Sequence, residues 1–416
     1  MKTTRYIIGT VLGLSLSAFV ACDPDYAAIT NPPVAADKAV AAQTDWIAAA
    51  DSASAAFIDR FYCSTRRNHA EGVFSYSEYN HAGGNGSCYW QQAHAMAVMV
   101  EYYNRIRYTD PTRAAALKQY MQTWFQRRGN NYEGNASWRG TSGFGNDFTD
   151  DTLWITIALL QMYEATGVEA YFTAAKATYD ECVRPRFEVN NYGWLPWKWT
   201  DLGANECTNG PGAIAAATLA RYAKEDGNQE EYDRYLSEAF ACFDQNLHVM
   251  ATNGTLGSVP LSYTQGTCME AGRLLWHLTG DKAYLLKGIL AARGQMGSTS
   301  MNEKVDGNNV MRDEGADGNN SIFHAVLFHW AARMILDTEI DAVDARIRKD
   351  LFTYVKRHAD YYWSTGVDKS DWENSYFGVK CYEPRSAGSD PYGALGAYAS
   401  AAQCLETMCL IQNLDF

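Results

Sequence analysis

Gly210-Pro211-Gly212-Ala213-Ile214-Ala215-Ala216-Ala217-Thr218-Leu219-Ala220-Arg221-Tyr222-Ala223-Lys224-Glu225-Asp226-Gly227-Asn228 is the stretch whose reading decides the fold. Its apolar and small residues recur at three- and four-residue spacing, the period of a helix, and Asp226-Gly227-Asn228 then interrupts it. Similar breaks stand at Thr166-Gly167 and Thr279-Gly280-Asp281, where Gly ends one helix and Asp can cap the next. The run from Gly212 to Ala217 is made almost wholly of small residues, which suits an inner layer where backbones crowd.

Outward from this hairpin the same unit recurs. Ala-rich first helices are predicted to begin near Tyr89, Asp150, Gly210, Tyr263, Asn320 and Pro391, roughly fifty to seventy residues apart, the length of two helices with one long and one short connection. Five of them have clear return helices. The sixth partner is expected to be the helix from about Thr44 to Tyr62, packed beside the helix that starts at Pro391. Strand-like alternation is rare, so residues 41–416 read as a single all-α domain. Twelve helices whose ends meet describe a closed (α/α)6 barrel; an open solenoid would use the same hairpins, and the count of six favours closure. If the inner helices are parallel, the long loops before them converge on one face, where their Gly, Asn, Asp, Trp and Tyr build a wide polar and aromatic cleft.

The 416 residues carry 35 Lys+Arg against 48 Asp+Glu, a formal charge of −13, which argues against nucleic acid as a partner. Twelve Trp and 27 Tyr suit either a packed core or stacking on the apolar faces of sugar rings. Lys2 and Arg5 precede an apolar run from Ile7 to Val20, too short for a comfortable membrane span. It ends at Phe19-Val20-Ala21-Cys22, similar to the cleavage box of bacterial lipoproteins. Residues 1–21 are therefore expected to be a signal peptide, Cys22 the lipidated anchor to a bacterial envelope membrane, and residues 22–40 a tether. Nine cysteines remain in the mature chain without a CxxC pair. Cys182, Cys242, Cys268 and Cys404 sit within apolar helical patterns, which predicts buried free thiols and no metal site.

Asp150 and Asp151 stand side by side where the second hairpin begins, with Trp138, Phe144, Phe148 and Trp154 around them. Acids at a helix N-terminus ordinarily cap it. On a loop-rich aromatic face they also meet the requirement of glycoside hydrolysis, which needs one ionised and one protonated carboxyl; retaining enzymes hold them about 5–5.5 Å apart.

The stretch from Asp150 through Gly167 resembles the Asp-Asp helix of glycoside hydrolase family 76, the endo-α-1,6-mannanases. Tyr89-Trp90-Gln91-Gln92, Asn205-Glu206-Cys207-Thr208-Asn209-Gly210-Pro211 and Tyr263-Thr264-Gln265-Gly266 follow in the family's order, over roughly residues 40 to 412. Two departures are Thr264 in place of the family's Asn and Phe323-His324-Ala325 in place of Phe-Lys-Gly. The resemblance implies an (α/α)6 fold, a mannan substrate and retention, with Asp150 as nucleophile and Asp151 as general acid/base, and no cofactor. A non-catalytic glycan-binding lipoprotein and another (α/α)6 glycosidase or lyase are the alternatives.

Candidate substrate contacts are Trp90, Gln91 and Trp138, the loop residues Trp194, Trp197 and Lys198, and Asn205, Asn209, Tyr263 and Gln265, whose side chains serve helix caps as readily as sugar hydroxyls. Asp313, Asp317, Asn319 and Asn320 are oxygen-rich but lack the ordered spacing of a calcium loop and read as turn formers. His94, His277, His324 and His329 read as core or helix-surface residues.

Overall fold

The computed structural model describes residues 44–62, 72–75, 89–127, 144–189, 193–372, 375–386 and 394–416. The expected signal peptide, the expected tether with Cys22, and Trp138 lie outside the described residues. Twelve α-helices are present among those described. Six form an inner ring: α2 (Tyr89–Ile106), α4 (Thr149–Thr166), α6 (Glu206–Glu225), α8 (Ser262–Thr279), α10 (Phe323–Leu336) and α12 (Ala394–Ile411). Each packs on the next, and α12 packs on α2, so the ring closes into the (α/α)6 barrel. The outer helices are α1 (Trp46–Phe61), α3 (Pro111–Gln126), α5 (Glu169–Thr178), α7 (Gln229–His248), α9 (Lys282–Gly297) and α11 (Ile347–Ser364). As expected, α1 lies against α12 and supplies the missing partner.

Inner and outer helices differ in how they are buried. In α12 nearly every side chain is enclosed; it is apolar enough to cross a membrane, but 89% of it lies inside the molecule as one wall of the barrel. In α7 one stripe is buried and the rest meets solvent. Glycine lets the inner backbones approach. A Cβ added to Gly210 would lie 2.3 Å from Thr267 Oγ1 on the next inner helix, and one added to Gly396 would lie 2.7 Å from the Ile322 backbone nitrogen. The free thiols Cys182, Cys242, Cys268, Cys381, Cys404 and Cys409 fill the interior.

The third inner helix starts earlier than the predicted Gly210. Asn205 caps it by accepting the Thr208 amide at 2.9 Å, and Pro211 sits inside the helix instead of near its start. Proline has no N–H, so the Cys207 carbonyl has no intrahelical donor four residues on.

Among the described residues three antiparallel hairpins occupy connections ahead of inner helices: β1 (Pro196–Lys198) with β2 (Asp201–Ala204), β3 (Asn302–Val305) with β4 (Asn308–Met311), and β5 (Ser375–Phe377) with β6 (Pro384–Ser386). The β3–β4 turn is Asp306-Gly307 with φ of 49° and 79°, the left-handed pair that matches the twist of a tight hairpin. The β1–β2 hairpin is stitched to the chain entering α4: Phe148 bridges Lys198, and the Trp199 amide donates to Asp147 O at 3.2 Å.

Candidate active site

A cleft of about 560 Å³ opens where the inner helices begin. The starts of five inner helices line it: Tyr89 and Trp90 of α2, Asp150, Asp151 and Trp154 of α4, Cys207 of α6, Tyr263 of α8 and Phe323 of α10. Phe148, Trp197, Asn205 and Asn319 complete the walls from the loops. Helix starts and the connections before α4, α6 and α10 therefore meet here, while among the described residues the connections before α8 and α12 contribute none of the lining. Its floor is aromatic, with ring centroids of Tyr263 and Phe323 4.4 Å apart and those of Trp90 and Phe323 5.8 Å apart.

Asp150 and Asp151 fall in the first turn of α4, where free N–H groups and the helix dipole favour negative charge. The N-cap itself is Phe148, which has no side-chain cap bond. The chain is turned into the helix by Asn146, whose Oδ1 accepts the Phe148 amide at 2.8 Å, and by Thr152, whose Oγ1 accepts the Asn146 amide at 3.1 Å. Asp150 Oδ1 accepts the Asp151 amide at 3.1 Å, so the ordinary role of a first-turn acid is also fulfilled.

Burial pushes the Asp150 carboxyl up to about 7, against the pull of backbone N–H groups, the Trp197 side-chain hydrogen bond and the Arg186 charge, all of which favour the anion. Its surface is half-buried, open on the cleft side. Adjacent carboxyls titrate as a pair, and this pair therefore keeps one proton up to near-neutral pH.

Arg186 was not singled out by the sequence. After α5 the chain widens into a π-turn (Tyr179–Val183) and tightens into a 3-10 turn (Arg184–Glu188) at Pro185, which drives Arg186 inward to complete burial. Its guanidinium donates to Cys182 O (2.7 Å), Asp147 O (3.1 Å), Thr149 Oγ1 (2.7 Å) and Asn146 O (2.5 Å), and so moulds the loop that presents the two acids. An Arg in a loop carries no local signal for such a role.

The predicted contact residues divide. Trp90, Trp197, Asn205 and Tyr263 line the cleft. Lys198 stands outside it, its Nζ 5.0 Å from the Trp197 ring centroid and 5.4 Å from that of Phe148, and braces both rings. Trp194 turns away to pack on His248, with ring centroids 5.3 Å apart. Gln91, Asn209 and Gln265 are buried anchors instead of cleft residues. Asn209 exchanges hydrogen bonds with both backbone groups of Leu195 at 3.0 Å, and Gln265 ties Leu256, Gly254 and Ala291 together. Amides this deep satisfy backbone groups that would otherwise be unpaired.

Asp313 and Asp317 make turns as expected, accepting the amides of Gly315, Asn319 and Asn320. His94 lies under the floor, 4.6 Å from the Trp154 ring centroid, and burial and then His329 hold it down at about 3, so it is neutral. His324 and His329 are buried, and His277 pairs with Asp337 at 2.6 Å. Cys207 and Phe323 complete the cleft unanticipated. Burial pushes the Cys207 thiol up to about 12.

This barrel, with paired acids in an aromatic cleft, has the architecture of a glycoside-hydrolase toroid. The chain belongs to glycosyl hydrolase family 76, whose family model matches residues 45–413. No curated protein sequence matches it. Among solved structures it is similar to an inactive variant of the α-1,6-mannanase GH76A of Salegentibacter sp. HEL1_6, with two adjacent aspartates replaced by alanine and α-1,6-mannotetrose bound: 19% identity, 88% of this chain and 100% of that one covered, TM-score 0.69. The Lin0763 protein of Listeria innocua shares 17% identity over 89% of this chain and 98% of its own, TM-score 0.65. The family 76 mannosidase Bt3792 of Bacteroides thetaiotaomicron VPI-5482 shares 16% over 89% and 99%, TM-score 0.58. At these identities the likeness is one of fold.

Proposed function

We propose that this protein is a retaining, endo-acting glycoside hydrolase that cuts the α-1,6-mannan backbone. The observation that carries the reading is the Asp150–Asp151 pair in the first turn of α4, opening into a cleft floored by aromatic rings. Membership of family 76 and the mannotetrose complex of a structural neighbour support the substrate class.

In this reading the Asp150 carboxylate attacks the anomeric carbon while Asp151 protonates the departing glycosidic oxygen. The C–O bond breaks and a glycosyl ester forms on Asp150. Asp151, now a carboxylate, takes a proton from water, which attacks the anomeric carbon and frees Asp150. The donors around Asp150 stabilise the anion that leaves in the second step, and its charge faces the oxocarbenium-like transition states of both. An aromatic floor beside the side-chain amides of Asn205 and Asn319 suits a hexose.

The test is product release from linear α-1,6-mannan. Wild type yields oligosaccharides with the anomeric configuration retained, while the folded Asp150→Ala and Asp151→Ala variants yield none. A folded wild type that binds the polymer without cutting it would instead be a glycan-binding protein.

The apolar run ending at Ala21-Cys22 supports attachment to a bacterial envelope through a lipidated Cys22. Incorporation of labelled fatty acid by the full chain, abolished by Cys22→Ser, is the expected result; equal labelling of both would sink the assignment.

A further inference from the structure

We infer that Asn319 is a substrate-recognition residue whose side-chain amide donates a hydrogen bond to a hydroxyl of a neutral sugar in the cleft. The inference rests on the mannan reading of the site and adds a residue to it.

Donor arithmetic fixes which way this amide points. Trp90 Nε1 carries a hydrogen and can only donate, and it lies 3.3 Å from Asn319 Oδ1. Gln91 Nε2 lies 2.8 Å from the Gly318 carbonyl, which can only accept, so that atom of Gln91 is the nitrogen. The same nitrogen lies 3.0 Å from Asn319 Oδ1. Two donors therefore converge on one atom of Asn319, and that atom must be its oxygen. The Nδ2 group, with two hydrogens, is left on the other side of an exposed residue that lines the cleft.

The amide is also held still. Asp317 Oδ1 accepts the backbone N–H groups of Asn319 and Asn320 at 2.8 and 2.9 Å, and Gln91 is 1% exposed. A donor fixed at both backbone and side chain loses little entropy when it binds. Its place in the ring is informative as well. Asn319 precedes α10, which stands three inner helices from α4 and therefore faces it across the barrel. A sugar lying on Trp90, Tyr263 and Phe323 would have the carboxylates on one side and the Asn319 donor on the other.

Binding is measured by calorimetry with α-1,6-mannotetraose in an Asp150→Asn/Asp151→Asn background, where no turnover or carboxylate titration intrudes. Asn319→Ala and Asn319→Asp are compared with that parent. The aspartate keeps an oxygen for Trp90 and Gln91 but has no N–H to offer. Both variants are expected to raise Kd about threefold to tenfold, the range of one neutral hydrogen bond. If Asn319→Asp binds as the parent does while Asn319→Ala is weakened, Asn319 merely holds Trp90 and Gln91, and the inference is overturned. Failure of the parent itself to bind would overturn the mannan reading and this inference with it.

Discussion

Trp197 on β1 stands beside Asp150 of α4 in the cleft, and its side chain favours the Asp150 carboxylate against the burial that raises its pKa. The Phe148–Lys198 bridge brings the two segments together, and the Trp197 and Phe148 rings meet edge to face with centroids 5.1 Å apart. The indole is thus both a wall of the cleft and an electrostatic partner of the acid beside it.

Replacing that indole separates its two roles. Trp197→Phe keeps an aromatic wall and removes the donor that favours the anion. The carboxyl pKa should rise further, and kcat/KM on mannan should fall about tenfold to a hundredfold, the range for a hydrogen bond to a charged group. A pH–rate profile whose alkaline limb moves upward checks the first effect; an unmoved limb would place the indole bond outside catalysis.

The proton held by the pair also predicts the wild-type profile. Double displacement needs one carboxyl ionised and one protonated, and the raised pKa of about 7 is where the second proton leaves. Activity should therefore be greatest on the acid side of neutrality and fall as pH rises past about 7. With Asp151→Asn and an aryl glycoside that needs no acid assistance, the alkaline fall should vanish, since only an ionised Asp150 is then required.

Stability carries the same signature with a definite sign. Asp150 has a folded pKa above its unfolded value, so the folded chain holds the proton more tightly, and stability falls as pH rises from about 4 to about 7. Asp150→Asn lacks this loss. Its Tm relative to wild type should climb across that window and level off above it, by on the order of a few degrees. A Tm difference independent of pH would count against a buried, proton-holding Asp150.

Arg186 offers a test of how the pair is positioned. Arg186→Leu strips donors from three backbone carbonyls and the Thr149 hydroxyl in the interior, at a cost of about 3–5 kcal/mol. Arg186→Lys keeps the charge but not the fork, and should recover stability in part while leaving kcat low. Denaturant unfolding beside kinetics distinguishes a fold defect from a misplaced pair.

What the chain settled by itself was whatever depends on neighbours in sequence. Helical spacing, Gly-centred turns and runs of small residues are local properties of the backbone, which is why six hairpins, the inner layer and the Thr44–Tyr62 partner helix were legible. Asp150 and Asp151 were legible for the same reason, being adjacent at a predicted helix start. The partners of polar side chains were not. Gln91, Asn205, Asn209 and Gln265 are chemically alike, yet closure of the ring left Asn205 on the cleft wall and sank the other three against backbone groups. Trp194 and Trp197 stand three positions apart in one loop, and only its pairing with the chain before α4 turned one toward Asp150 and the other onto His248. Arg186, Cys207, Phe323 and the amide of Asn319 became part of the site through contacts between distant loops. A hydrogen bond or a buried charge takes its value from whatever surrounds it in three dimensions, and no period or spacing along the chain records that.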